Sequence, residues 1–256
     1  TIISQFLSFV IILLKVLKNE RIKNITNEHL LPKILFFKNI FFQSMPITVS
    51  ICGYALAAAI IFTYVGQSGE YAVAGYGVGT RIEQVVLLPI LGINTAIISI
   101  IAQNYGANNL YRIKETYFTA IKYAFVIMIT AGALVFLSAS VITSFFSSDP
   151  EVIEYGKRYL KISAFVLPAY PVFFLSNGCF MALKKSENAM ISNFFRNVLN
   201  PIVVFYIAKH IGASFETFFW IWVGINWFFS ISYLLIVIYY FRNRLDKSSA
   251  IVQPRP

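Results

Sequence analysis

The chain has 256 residues, of which 58% are hydrophobic and only 12% are charged, whereas soluble domains carry about 25% charged residues. The composition therefore excludes an ordinary soluble domain. The net charge is +10, but the basic residues lie between apolar runs, so they indicate loops beside an anionic membrane rather than a nucleic-acid-binding surface. Cys52 and Cys179 lie inside apolar runs and indicate no disulfide framework.

The apolar runs predict an all-α membrane protein with six transmembrane helices that follow the end of another one. Each run is long enough to cross a hydrocarbon core of about 30 Å. Residues 1–17 are typical of the end of a spanning helix, and no basic region precedes them as in a signal peptide. We therefore expect the chain to be the C-terminal part of a longer protein. The six helices are predicted at residues 34–65, 71–102, 113–146, 152–183, 188–211 and 217–241.

The distribution of Lys and Arg predicts how these helices are oriented. Basic residues occur in alternate gaps and in the tail, whereas residues 66–70 carry none and residues 147–151 are acidic. Cytoplasmic loops are enriched in Lys and Arg, so we expect a multi-pass protein of the cell membrane with a cytoplasmic C-terminus. Near the outer end of the fourth helix, three basic residues either line an external opening or extend to lipid headgroups. They are Lys157, Arg158 and Lys161.

Helix kinks are predicted at prolines inside the long apolar runs, because proline lacks a backbone donor and crowds the preceding turn. The kink positions are Pro46, Pro89, Pro168 and Pro171. In the second helix, Gly75 and Gly79 are four residues apart, which predicts close packing against a neighbouring helix. The surrounding glycines follow no strand and lack the full spacing of a nucleotide-binding loop.

The second helix also carries Arg81, Glu83 and Gln84 within an apolar run. Such groups in a membrane helix face a bundle interior or a water-filled cavity. Arg81 and Glu83 point about 200° apart, so at least one of them needs a partner on another helix. Two interpretations stay open for Glu83. It either carries a proton or a cation, or it forms a fixed ion pair that ties two helices together.

A polar stripe is predicted on the fifth helix, where four side chains recur at intervals of three and four residues and so share one face. This stripe either forms interhelical hydrogen bonds or lines a cavity, and it consists of Asn193, Arg196, Asn197 and Asn200. Further candidates for the cavity or ion pathway are polar residues on the first, second and fourth helices: Gln43, Tyr54, Asn94, Tyr170 and Asn177.

The sequence predicts neither an enzyme nor a metal site. His29 and His210 lie at opposite predicted membrane faces, so they cannot share a metal. There is also no phosphate-binding loop and no nucleophile beside a base on one helix face. We expect no cofactor apart from a coupling ion.

Two segments resemble the multidrug and toxic compound extrusion (MATE) transporters. Residues 75–109, with Ala74 to Gln84 at the start and Ala102 to Asn109 at the end, resemble their eighth helix and the loop after it. Residues 155–168, followed by Asn177 and Gly178, resemble their tenth helix. The resemblance implies twelve helices in two six-helix lobes around a central cavity, with export of lipophilic organic cations driven by Na⁺ or H⁺.

On this resemblance, residues 1–17 are the end of the sixth helix and residues 18–33 are a basic cytoplasmic linker between the lobes. Residues 34–243 are the C-terminal lobe and residues 244–256 are a cytoplasmic tail. Some members carry a carboxylate on the seventh helix, shortly after its proline, but residues 46–54 contain none. The coupling site is therefore expected on the missing N-terminal lobe.

The expected function is secondary active efflux of drugs or organic cations. The expected partners are the lipid bilayer, the cations and the N-terminal lobe, without nucleic acid, and the chain alone is expected not to transport. One alternative is a flippase for lipid-linked glycans, which would need a more basic cavity than Arg81 and Arg196 provide. The other is a non-transporting membrane fragment.

Overall fold

The computed structural model describes residues 2–18 and 34–245, and within residues 35–51 mostly the backbone. Every regular element in these ranges is a helix. The helices are α1 (Ile2–Leu17), α2 (Ile34–Gly66), α3 (Glu70–Gly106), α4 (Leu110–Ser144), α5 (Pro150–Ser163), α6 (Tyr170–Ala182), α7 (Ser186–Phe194), α8 (Asn200–His210) and α9 (Phe215–Tyr240). A short 3₁₀ turn spans Leu167–Ala169, and π turns span Phe195–Leu199 and Phe241–Leu245.

Four helical stretches among the described residues are long and apolar enough to cross a membrane. They are Glu70–Gly106, Leu110–Ser144, Pro150–Ala182 and Phe215–Asn243. The prediction of an all-α membrane protein is therefore confirmed, and the chain spans the bilayer more than once. The count of six spans stays a prediction, because the part of α2 whose side chains are fully described is Cys52–Gly66, and residues 186–210 are divided by a π turn.

The contacts divide the chain into two units, Thr1–Met45 and Pro46–Pro256. In the first unit, α1 exposes large apolar side chains along its length, including Ile3, Phe6 and Leu14. The second unit contains two hydrophobic clusters. One is centred on Ile90, Leu160 and Phe218, and the other includes Ile101, Tyr117 and Phe180.

Polar side chains cap several helices of the second unit at the predicted turns. Asn109 accepts a hydrogen bond from the backbone N–H of Arg112 at the start of α4, and Asp149 accepts one from Glu151 at the start of α5. Ser214 does the same for Thr217 at the start of α9. Such caps satisfy backbone donors that have no partner within the helix, so they fix where each helix begins.

The predicted helix 152–183 is broken near Pro168. α5 ends at Ser163, and α6 begins only after the 3₁₀ turn. Pro168 has no N–H, so it cannot bond to the carbonyl of Ala164, four residues earlier. That carbonyl lies against Gly132, where an added Cβ would meet the oxygen at 2.8 Å. The indole N–H of Trp227 donates to the carbonyl of Phe165 at 2.8 Å. A tryptophan of α9 thus provides a hydrogen-bond donor for a backbone carbonyl at the helix break.

Close packing of α3 against α5 follows the predicted glycine spacing. A Cβ added at Gly75 would meet the backbone of Gly156 at 2.7 Å, and one at Gly79 would collide with the ring of Tyr159. α3 continues through Pro89 as one helix. The small residues therefore let α3 approach α5 and leave room for Tyr159 beside it.

Candidate functional site

A cavity of about 210 Å³ opens within the second unit. Its walls come from α2, α3, α5, α6, α7 and α9, and from the π turn that follows α7. Its aromatic wall includes Tyr76, Tyr159, Tyr170, Phe173, Phe219 and Trp222. Its polar lining consists of Tyr54, Thr80, Glu83, Gln84, Asn193, Arg196 and Asn197.

Glu83 is the only carboxylate among the described residues that line this cavity. One oxygen accepts a hydrogen bond from the hydroxyl of Tyr159, and the other accepts one from the hydroxyl of Tyr170 at 2.5 Å. Gly79 lies one turn before Glu83 on the same face of α3, and the ring of Tyr159 fills the space that Gly79 leaves. The glycine therefore brings the tyrosine hydroxyl within reach of the carboxylate.

The position of Glu83 along α3 places it inside the membrane. α3 has 37 residues and is about 55 Å long, whereas the hydrocarbon core is about 30 Å thick. Glu83 lies about 20 Å along α3 from Glu70, so it falls within the hydrocarbon layer when the helix is centred on the bilayer. A carboxylate at this depth is costly without partners, and the two tyrosines and the cavity provide them.

Arg196 carries the positive charge of the cavity. Its guanidinium lies 4.0 Å from the ring centre of Phe173 and 4.8 Å from that of Tyr170. Its Nε donates to Oδ1 of Asn226 at 3.4 Å, and Asn226 donates to the carbonyl of Trp222 at 2.9 Å. Cation–π contacts and a hydrogen bond thus hold the guanidinium in place.

Glu83 and Arg196 interact electrostatically, but among the described residues no direct ion pair to Glu83 lies within 4.0 Å. The carboxylate is bound by neutral phenols instead. Glu83 lines the cavity, and each of its oxygens can accept a further hydrogen bond or bind a cation.

The π turn at Phe195–Leu199 changes the predicted polar stripe. The N–H of Asn200 bonds to the carbonyl of Phe195, five residues earlier, so this turn is wider than an α-helical one. Asn193, Arg196 and Asn197 still line the cavity. Asn200 does not line the cavity. Its side-chain amide is fully buried and has no hydrogen-bond partner among the described residues. The stripe therefore does not share one face over its whole length.

The other predicted residues fall into three groups. Tyr54 and Gln84 line the cavity, and Tyr54 is 62% exposed. Asn177 lies outside it, where it donates to Asn193 at 3.1 Å and accepts from Tyr233 at 3.3 Å. Arg81 and Asn94 are also outside the cavity: Arg81 is exposed, and Asn94 lies against Gly178. The side chain of Gln43 lies outside the described residues.

Several cavity residues were not predicted from the sequence. Asn226, which does not line the cavity but accepts a hydrogen bond from Arg196, was also missed, although it is an amide within the apolar run of α9. Tyr76, Tyr159, Phe173, Phe219 and Trp222 carried no distinguishing signal, because an aromatic residue in an apolar helix packs equally well against lipid, core or cavity.

Within the described residues, no three His, Cys, Asp or Glu side chains come together as a metal site. A cation at Glu83 would therefore be held by one carboxylate, with phenolic or amide oxygens as further ligands. Gln84, Asn193 and Asn197 are the amides that line the same cavity. Hard cations such as Na⁺ favour oxygen ligands of this kind.

Comparison with known proteins identifies the family. The family model MatE matches residues 46–206. The multidrug export protein MepA of Staphylococcus haemolyticus is 24% identical over 242 residues, which cover 91% of this chain and 51% of MepA. An FAD transporter of Shewanella oneidensis is 26% identical over 144 residues, which cover 56% of this chain and 32% of that protein.

The fold agrees with this assignment. A crystal structure of MATE in the bent conformation matches with a TM-score of 0.76 at 24% identity, over 88% of this chain and 50% of that one. At this identity the likeness shows the fold alone. The chain spans about half the length of the curated relatives that it matches along most of its own length. Since the family model covers more than half of the chain, the resemblance seen in the sequence is confirmed: this chain belongs to the MatE family of membrane transporters.

Proposed function

We propose that the chain serves in the efflux of lipophilic organic cations by Na⁺- or H⁺-coupled antiport, as the C-terminal lobe of a two-lobe transporter. The observation that carries this proposal is the position of Glu83, a carboxylate that lines an aromatic-walled cavity at membrane depth. The name of MepA, a multidrug export protein, supports the same substrate class. The N-terminal lobe, the lipid bilayer and the cation are the proposed partners.

The chemistry of the cavity suits a flat or bulky organic cation. Aromatic faces attract a cation through the ring quadrupole, and Tyr76, Phe219 and Trp222 offer such faces around Glu83. The carboxylate supplies the opposite charge. Arg196 supplies a positive charge to the same cavity and offsets part of the negative charge of Glu83 when no ligand is bound.

Coupling follows from the same carboxylate. A proton or a Na⁺ on Glu83 neutralises the group that attracts the organic cation, so the coupling ion and the cargo compete for it. Further acidic groups for coupling are proposed on the N-terminal lobe, since residues 46–54 contain no carboxylate. The chain by itself would form only part of the cavity and is not expected to transport.

The test is dye efflux by the full-length transporter, reconstituted in vesicles with an imposed Na⁺ or H⁺ gradient. Ethidium should be exported under at least one of the two gradients. In Glu83→Gln we expect the KM for ethidium to rise roughly 10- to 100-fold, because an interaction with a charged group contributes about 1.5–3 kcal/mol. Glu151→Gln is the matched control, since Glu151 is exposed at the start of α5 and lies outside the cavity.

Retention of the dye under both gradients would overturn the proposed efflux. An unchanged KM and an unchanged pH dependence in Glu83→Gln would instead leave efflux standing and limit Glu83 to a structural role. Both variants need equal amounts of protein in the vesicles, so that a loss of folding is not counted as a loss of transport.

A second candidate is a flippase for lipid-linked glycans, which would use Arg196 to bind a phosphate. The similarity to an FAD transporter also fits an anionic substrate. Arg196 is the single basic residue among the described lining of the cavity, however, and Glu83 opposes it. Loss of glycan assembly on gene deletion, without greater drug sensitivity, would favour this candidate over cation efflux.

A further inference from the structure

A second hollow, about 630 Å³ in volume, lies between α4, α9 and the break that separates α5 from α6. We call it the outer groove. Its lining includes Phe125, Ala133, Phe136, Phe165, Trp220 and Trp227. The cavity of Glu83 is lined by other residues near the break and on α9, namely Tyr159, Tyr170, Phe219 and Trp222. The outer groove is therefore a separate site.

The wall of the outer groove is apolar although the backbone is broken there. A broken helix normally leaves carbonyl groups that are costly in contact with lipid. The carbonyl of Ala164 is covered by Gly132, and that of Phe165 accepts the Trp227 indole N–H. Phe165 and Trp220 are nevertheless 49% and 48% exposed. The outer groove is therefore open and suited to a hydrocarbon chain.

A positive charge stands at the edge of the outer groove. Lys161 precedes Phe165 by four residues, and its Nζ atom lies 5.4 Å from the ring centre of Phe136. Lys157 and Arg158 are bound to Glu154 at 2.9 and 3.0 Å. No carboxylate among the described residues lies within 4.0 Å of Lys161. Lys161 is thus left to attract an anion from outside the chain.

The ammonium group of Lys161 reaches the level of lipid headgroups because the long side chain extends over Phe136. α4 has 35 residues and is about 52 Å long, so a centred helix extends about 11 Å beyond each side of the hydrocarbon core. Phe136 lies about 12 Å from the end of α4 at Ser144, close to that boundary. The lining residues of α4 from Phe125 to Ala133 lie deeper in the hydrocarbon layer, and Leu137 lies beside Phe136.

We propose that the outer groove binds an anionic phospholipid, with an acyl chain against Trp220 and Trp227 and the phosphate at Lys161. Charge complementarity selects this occupant. A lipophilic cation of the kind proposed as cargo would be repelled by Lys161. A zwitterionic lipid would place its own cation beside that ammonium group.

The tryptophans of the outer groove allow a direct test. The chain contains three Trp residues, and Trp222→Phe removes the one that lines the other cavity. In nanodiscs, lipids with brominated acyl chains quench a tryptophan that they touch. We expect brominated phosphatidylglycerol to reach half-maximal quenching at a mole fraction roughly fivefold lower than brominated phosphatidylcholine, which is the preference expected for one lysine near a membrane surface.

Matched variants separate the headgroup from the groove. Lys161→Gln should abolish the preference for the anionic lipid, Lys161→Arg should keep it, and Lys122→Gln, an exposed lysine of α4, should leave it unchanged. Ala133→Phe, which fills the open side of the groove, should weaken quenching by both lipids.

Equal quenching by the two lipids, or a preference that persists in Lys161→Gln, would overturn the proposal. Absence of quenching by either lipid would do so as well, since it would show a groove closed to the bilayer. So would relief of quenching by tetraphenylphosphonium, which would identify an organic cation as the occupant.

Discussion

The two hydroxyls that bind Glu83 come from opposite sides of the helix break, Tyr159 from α5 and Tyr170 from α6. One carboxylate therefore joins three helices across a point where the backbone is interrupted. Its hydrogen bonds contribute to the position of both segments as well as to the chemistry of the cavity.

Removal of either hydroxyl should destabilise the chain. In Tyr159→Phe or Tyr170→Phe, Glu83 loses a donor at membrane depth, and we expect the free energy of unfolding to fall by about 1–3 kcal/mol. Unfolding in detergent micelles would measure this. Tyr155→Phe is the control, since Tyr155 lies one turn before Tyr159 and its ring packs on Phe215, with no hydrogen bond of its hydroxyl to any residue that the structure describes. Equal stability of the Tyr155 and Tyr159 variants would contradict the role given to the phenols.

Individual residues differed in how far the sequence predicted their place. Glu83 was identified because a charge inside an apolar run has few stable environments. Arg81 was expected to face a cavity for the same reason, but it is exposed and lies outside the cavity. The two tyrosines that bind Glu83 were harder to predict from the sequence. Tyr170 stood out beside two prolines, whereas Tyr159 had no such neighbour.

At the scale of elements, the contact between α3 and α5 depends on positions without a side chain. Gly75 and Gly77 are two residues apart in α3 and face different surroundings. A Cβ at Gly75 would meet the backbone of α5, and a Cβ at Gly77 would meet nothing within 4 Å. Backbone atoms cannot move aside as a flexible side chain can, so the packing of these helices is sensitive to a single methyl group.

This difference predicts opposite effects of one substitution. Gly75→Ala should lower the free energy of unfolding by about 1–3 kcal/mol through overpacking. Gly77→Ala should leave it unchanged or raise it by up to about 1 kcal/mol, because alanine favours the helix. Unfolding of the two variants in the same detergent compares them directly. A loss at Gly77 as large as that at Gly75 would show that helix contact is not the cause.

Periodicity predicted where most helices lie. Of the departures from α-helical geometry at Pro168 and at Phe195–Leu199, only one was expected from the sequence. The break at Pro168 was expected because proline lacks a donor. The π turn at Phe195–Leu199 was not, since a shift of one hydrogen bond leaves no distinctive residue in the sequence. Asn200 was consequently placed on the cavity face, although the wider turn carries it into the protein interior.

For the whole molecule, the alternation of basic and non-basic gaps is the strongest guide to topology. α3 is long enough to cross the membrane, so the turns at its two ends, residues 67–69 and 107–109, should face opposite compartments. By the positive-inside rule, we expect the second of them to face the cytoplasm. The described turns between the helical stretches lie within a few residues of the predicted gaps, which supports the use of these gaps.

Cysteine labelling in intact cells would test this orientation in the full-length transporter. With Cys52 and Cys179 replaced by serine, a membrane-impermeant thiol reagent should label Ser68→Cys from outside the cell. It should label Asn108→Cys only after the membrane is permeabilised. The reverse pattern would invert the proposed topology, and labelling of both sites from outside would contradict a membrane crossing by α3.

The wide turn after Phe195 has a consequence for how relatives are aligned. A related chain with an ordinary α-helix at this point would accommodate one residue fewer between Asn193 and Asn200. A correct alignment would then place a single-residue gap in the middle of a helix, where gaps are usually regarded as errors. The amino acid that corresponds to Arg196 in such a chain would be the one whose side chain occupies the same space, whichever column contains it.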